Sequence, residues 1–294
     1  MRYRLLPFLL QALLLTLMSI QPVFSNEASA MKVFVSIEPL RYLAERVGGE
    51  HIDVETMIAP GESPATFSPT PRKMTRLKNA RLFFYVGVPS EKAWLPRVRE
   101  SYPTTRLVDV RKGIVLRRAA HDEAHDHVHA DDLDPHVWNS PLTSIRIAAN
   151  MRDALSEVDP ANKEAYADNF RQLADELHAL DRKITAMLDE LPSRRFMVFH
   201  PSWGYFADRY GLQQIAIEKS GKTPGIRQLG QLIEQARKAG IKTIIVQPQF
   251  SRRDAETIAQ EIGGKVVAVD PLAYDIPTTL LLMAETLAKH GKKP

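Results

Sequence analysis

A helical pattern begins after Asp159-Pro160 and runs from Ala161 to about Leu191 with no internal glycine or proline. An aspartate-proline pair opens helices well, and nothing within the stretch interrupts one. Phe170, Leu173, Leu177, Leu180, Ile184, Met187, Leu188 and Leu191 recur at three- and four-residue steps, which makes one apolar stripe. Thirty helical residues span roughly 45 Å, the length of two domains rather than one. The pattern predicts a rigid helix joining two domains, with less hinge opening than two flexible connecting strands would permit.

On either side lie short β-rich runs alternating with amphipathic helices. Before the helix these are Lys32–Ile37, Ile52–Ile58, Leu82–Val86 and Thr105–Val110, with helical patterns at Pro39–Val47 and Pro71–Asn79. After it come Phe196–Phe199, Gln213–Ile217, Thr243–Gln247 and Val266–Val269, with helices around Gly225–Ala239 and Arg253–Ile262. Such alternation implies parallel sheets built from βαβ units. The predicted fold is α/β: two βα domains with parallel sheets, at 31–158 and 192–294, joined by one long rigid helix at 159–191.

The first thirty residues read as a secretory signal. Arg2 and Arg4 precede an apolar stretch from Leu5 to Ile20, and small residues follow at Val23-Phe24-Ser25 and Ala28-Ser29-Ala30. The chain has no cysteine, so disulfides, thiolate ligands and a lipid-bearing thiol are all missing from the sequence. The expectation is a periplasmic protein that carries no lipid. The formal charge of +4 is dispersed rather than striped, which argues against nucleic acid as a partner. A monomer is expected.

Any metal must then be held by nitrogen and oxygen. Five of the nine histidines fall between residues 121 and 136. His121, His125, His127 and His129 sit among acidic residues in a low-complexity segment, 119–132, while His136 follows in the stiff turn Asp134-Pro135-His136. Neutral imidazole is the commonest protein ligand for borderline metals, with carboxylates completing such sites. In open parallel sheets ligands bind beyond the carboxyl ends of the strands. His200, Glu218 and Asp270 each directly follow a predicted strand of the second domain, and Gln247 ends one. Together they point to one cleft.

The chain resembles the zinc- and manganese-binding solute receptors of bacterial ABC importers across its whole mature length. The resemblance rests on residues 60–74 (PGESPATFSPTPRKM), 86–95 (VGVPSEKAWL), 134–141 (DPHVWNSP), 198–212 (VFHPSWGYFADRYGL), 246–264 (VQPQFSRRDAETIAQEIGG) and 269–275 (VDPLAYD). It implies capture of a metal between the domains and handover to a membrane permease driven by a cytoplasmic ATPase. It implies a receptor rather than an enzyme, with His136, His200 and Asp270 as ligands. The His-rich segment is similar to that of zinc-specific members, so Zn2+ is expected ahead of Mn2+. Glu218 and Gln247 are candidates for hydrogen bonds that orient a ligating imidazole.

One motif departs from the family. Where its members usually carry Pro-Gly-x-Asp-Pro-His, this chain reads Pro60-Gly61-Glu62-Ser63-Pro64-Ala65. The methyl group of Ala65 coordinates nothing, so the fourth position falls to water, to Glu62, or to a loop histidine such as His127 or His129, with His121 and His125 as accessory groups. The loss of an imidazole can cost a few kcal/mol, each 1.4 kcal/mol being about tenfold in affinity. A zinc buffer without a permease shares the same residues. A zinc hydrolase would need a general base that no His-Glu-x-x-His motif supplies here.

Overall fold

The structure, a computed structural model, describes residues 30–118, 133–191, 193–218, 221–222, 224–250 and 252–291. The predicted leader up to residue 29 and the segment 119–132, with His121, His125, His127 and His129, lie outside the described residues.

The first half contains β1 (Met31–Val35), α1 (Glu38–Gly48), β2 (Ile52–Thr56), α2 (Pro71–Leu77), β3 (Leu82–Tyr85), α3 (Glu91–Ser101), β4 (Arg106–Asp109) and α4 (Pro141–Val158). The long helix α5 covers Lys163–Leu188, after a 3-10 turn at Pro160–Asn162. The second half contains β5 (Arg195–Val198), α6 (Gly204–Arg209), β6 (Gln213–Ala216), α7 (Ile226–Lys238), β7 (Thr243–Val246), α8 (Arg253–Glu261), β8 (Lys265–Ala268) and α9 (Ile276–Gly291). Each of the eight predicted runs therefore forms a strand.

The two sheets share one connectivity, β2-β1-β3-β4 and β6-β5-β7-β8, and every pairing is parallel. Strand order reverses between β1 and β3, and again between β5 and β7. Loops leave in opposite directions at such a point, which opens a crevice at the carboxyl edge of the sheet. Both sheets are covered by helices, and their central strands are continuous apolar runs: Leu82, Phe83 and Phe84, like Ile244, Ile245 and Val246, are almost fully buried.

In β5 the pleat divides the side chains between two cores. Phe196 and Val198 join a cluster that contains the whole first-half core, Leu173, Leu177 and Ile184 of α5, and Leu280 and Met283 of α9. Met197 and Phe199 face a separate cluster with Ala236 of α7 and Ile258 of α8. The apolar stripe of α5 is thus a shared wall: Leu173, Leu177, Ile184 and Leu188 are buried, and Phe170, Leu180, Met187 and Leu191 pack around them. α5 lies against α1, α4 and α9 along its length. Near its C-terminal end the buried Asp181 accepts from Arg209 Nε at 2.7 Å and from Tyr210 Oη at 3.1 Å, tying the helix to α6. No helix among the described residues is long and apolar enough to cross a membrane.

Candidate metal centre

His136 stands in a turn built by its neighbour two residues back. Asp134 accepts the His136 backbone N–H at 3.0 Å and holds Nδ1 of the same residue at 2.7 Å. Asp134 is 3% exposed, and Arg117 reaches its other oxygen at 3.2 Å. Burial alone would raise this carboxyl, but His136 and Arg117 outweigh it and keep Asp134 below the usual carboxylate range. Gly204 makes room for the pair. A β-carbon there would lie 1.3 Å from the Arg117 guanidinium and 2.7 Å from the Asp134 carboxylate. Trp138 packs beside the imidazole, with ring centres 5.3 Å apart.

His200 follows β5 and is oriented from the neighbouring strand. The carboxylate of Glu218, at the end of β6 and 3% exposed, lies 2.5 Å from His200 Nδ1. Phe250 stacks on the ring at 5.1 Å and 20°. The two imidazoles meet edge to face, with centres 5.2 Å apart. In both, a carboxylate takes Nδ1 and leaves Nε2 available as a donor, the arrangement that fixes tautomer and aim in metal-ligating histidines.

Gln247 differs from its predicted role. Its side-chain nitrogen donates to Ser202 Oγ at 2.5 Å and to neither imidazole. Ser202 sits in the tight turn closed by its own N–H on the His200 carbonyl at 2.8 Å, so Gln247 braces the turn that carries His200. The cause is reach: β7 lies beside β5, and the side chain that ends it meets the backbone turn before it meets the ring.

Asp270 follows β8. Its Oδ1 accepts the Leu272 N–H at 2.9 Å, and both carboxylate oxygens accept from Gln249 Nε2, at 3.1 and 3.2 Å. Asp270, Gln249, Glu62 and Pro64 line a small cleft of about 90 Å³. Glu62 is drawn back into its own loop, accepting the Ala59 N–H at 2.7 Å and Lys73 Nζ at 3.1 Å. Ala65, three residues further along, is exposed. Among the described residues, no three histidine, aspartate or glutamate side chains stand close enough to hold a metal together. His136 and His200 are adjacent, then, while Asp270 is engaged with Gln249.

The halves are fastened around these residues. Trp138 Nε1 donates to the Pro271 carbonyl at 2.7 Å, Asn139 Nδ2 to the Ser202 carbonyl at 2.9 Å, and Tyr205 Oη to the Asp134 carbonyl at 3.0 Å. Sequence reasoning missed the parts played by Asp134, Gln249 and Phe250. The DPH turn and the PQF run were the available signals, but neither reveals which side chain meets which.

With this geometry in view, the family profile described as "ZnuA: Zinc-uptake complex component A periplasmic" matches residues 33–289. The chain belongs to the ZnuA family. It is 31% identical over 263 residues to the zinc-binding protein AdcA of Streptococcus pyogenes serotype M6, a match covering 82% of this chain and 50% of the relative. It is 26% identical over 260 residues to the zinc-binding lipoprotein AdcA of Streptococcus pneumoniae serotype 4, covering 84% and 52%. The chain spans about half the length of these curated relatives. A solved ZnuA deletion mutant with zinc bound superposes with a TM-score of 0.84 at 33% identity, covering 90% of this chain and 99% of that one.

ZnuA-family proteins are solute-binding receptors of metal importers and not enzymes, and the two-sheet, long-helix architecture is theirs. The comparison also corrects one expectation. The pneumococcal relatives are named lipoproteins, which overturns the reading of an unlipidated periplasmic protein. Membership in this ZnuA-type group does not by itself carry freedom from a lipid anchor.

Proposed function

We propose that the chain is a receptor that captures Zn2+ through His136, His200 and Asp270 and delivers it to the permease of an ABC-type importer. The observation that carries this reading is the pair of facing imidazoles whose Nδ1 atoms are each held by a buried carboxylate. Two Nε2 donors and one carboxylate make a nitrogen and oxygen set suited to zinc. Asp270 joins by releasing one of its two carboxylate oxygens from Gln249 Nε2, a movement of one side chain. The expected leader, the zinc-binding names of the relatives and the His-rich segment support the same role, with His121, His125, His127 and His129 as accessory groups.

Isothermal titration of the purified chain should show one tight equivalent of Zn2+. The combined His136→Ala, His200→Ala and Asp270→Ala variant should lose it. Retention of that equivalent by a folded triple variant would overturn the assignment.

A further inference from the structure

The position that Ala65 leaves without a donor has a candidate that the sequence does not advertise. Gln249 directs its amide nitrogen to Asp270, and this settles how the amide is turned, because a carbonyl oxygen facing a carboxylate would repel it. Its Oε1 is consequently aimed elsewhere. That oxygen is closed off from solvent and accepts no hydrogen bond. Buried acceptors are nearly always satisfied, so one that is not calls for an explanation. The orphaned oxygen belongs to a side chain that lines the cleft of Asp270 and Glu62. Pro64, the neighbour of Ala65, lines it too.

Glu62 would have to give up both the Ala59 N–H and Lys73 to swing inward. Gln249 Oε1 has no such partner to give up. The next residue, Phe250, already stacks on His200, so this loop reaches both second-half ligands.

Resting on the zinc site described above, we propose that the side-chain carbonyl oxygen of Gln249 fills the coordination position that Ala65 leaves empty. One hydrogen bond from its nitrogen to the distal oxygen of Asp270 persists while the carbonyl binds the ion. Gln249 is then both the residue that holds Asp270 before metal arrives and a ligand afterwards. Amide oxygen is a harder donor than imidazole and suits manganese better than zinc. The site therefore separates Zn2+ from Mn2+ less sharply than one with three imidazoles.

The test is a cycle of Gln249→Leu and Ala65→His in the full chain, with Zn2+ affinity read by competition against a chromophoric chelator. Gln249→Leu should weaken binding about ten- to a hundredfold in the native background, in line with the loss of a directly coordinated group. With Ala65→His present the same substitution should have little effect, because an imidazole again occupies the position. Cobalt bound to Gln249→Leu should show altered visible bands, which a purely structural role would leave unchanged.

Unchanged or tighter zinc binding by Gln249→Leu would overturn the inference, since Gln249 would then merely occupy Asp270. An equal loss in both backgrounds would overturn it as well. If the triple variant of His136, His200 and Asp270 loses zinc while Gln249→Leu does not, this inference alone falls. If the triple variant keeps zinc, the whole cleft assignment falls with it.

Discussion

The two sheets have the same strand order but use their crevices in opposite ways. In the second half, the carboxyl ends of β5 and β7 present His200 and the Gln247–Phe250 loop, with Glu218 and Asp270 at the flanking strands. In the first half, the matching crevice between β1 and β3 is plugged. Glu91, 1% exposed, fills it: Val86 N–H and Gly87 N–H donate to its carboxylate at 3.2 and 2.6 Å, and Ser36 Oγ donates from the end of β1. Gly87 permits the approach with φ 82°, and the Arg111 guanidinium occupies the space its β-carbon would take. The first half's proposed ligand, His136, comes instead from a turn after β4. One topology gives two crevices, and the chemistry follows whichever is left unfilled.

The plugged crevice has the largest expected effect. Burial raises Glu91 to about 7, against the hydrogen bonds from Ser36, Val86 and Gly87. Between an unfolded value of 4.5 and about 7, the folded chain holds a proton that the unfolded chain has released. Stability is therefore highest below that window and falls by up to about 3 kcal/mol as pH rises through it. Urea unfolding of the metal-free protein in chelator at pH 5 and 7 reads this, and Glu91→Gln should flatten the difference. An equal slope in the variant would remove the plug from the account.

Asp134→Ala comes next. It should weaken zinc binding about ten- to a hundredfold by freeing the His136 ring. It should also cost about 2 kcal/mol in chelator, because Arg117 loses a buried partner. Glu218→Ala, on the open crevice, should weaken zinc to a similar degree with a smaller loss of metal-free stability, since its partner is an imidazole rather than a guanidinium. A reversal of that stability order would mean that the two carboxylates are not supported as described.

How much of this could be read beforehand depends on the range of the interaction. The eight strands were legible because parallel strands covered on both faces are continuous β-rich runs, and the stripe on α5 because its spacing is local. Among the helices, Glu91–Ser101 was obscured by Pro96, which interrupts the usual pattern. Gly204–Arg209 is only 6 residues long, too short for a period to show.

For the site, His136, His200 and Asp270 were visible as chemistry at strand ends or in a stiff turn. The contact of Gln249 with Asp270, 21 residues away, was not, since it depends on how two loops meet. Nothing in the sequence near Glu91 marks it for burial, which rests on the backbone N–H groups of Val86 and Gly87 and on Ser36 Oγ turned toward it.

The core that runs unbroken from the first sheet through α5 to α9 has a mechanical consequence. A push on either half is transmitted to the other as a rigid-body displacement, so little of it is dissipated in bending between them. Local adjustment around the cleft then falls to single side chains on the loops after β2, β7 and β8, which line it.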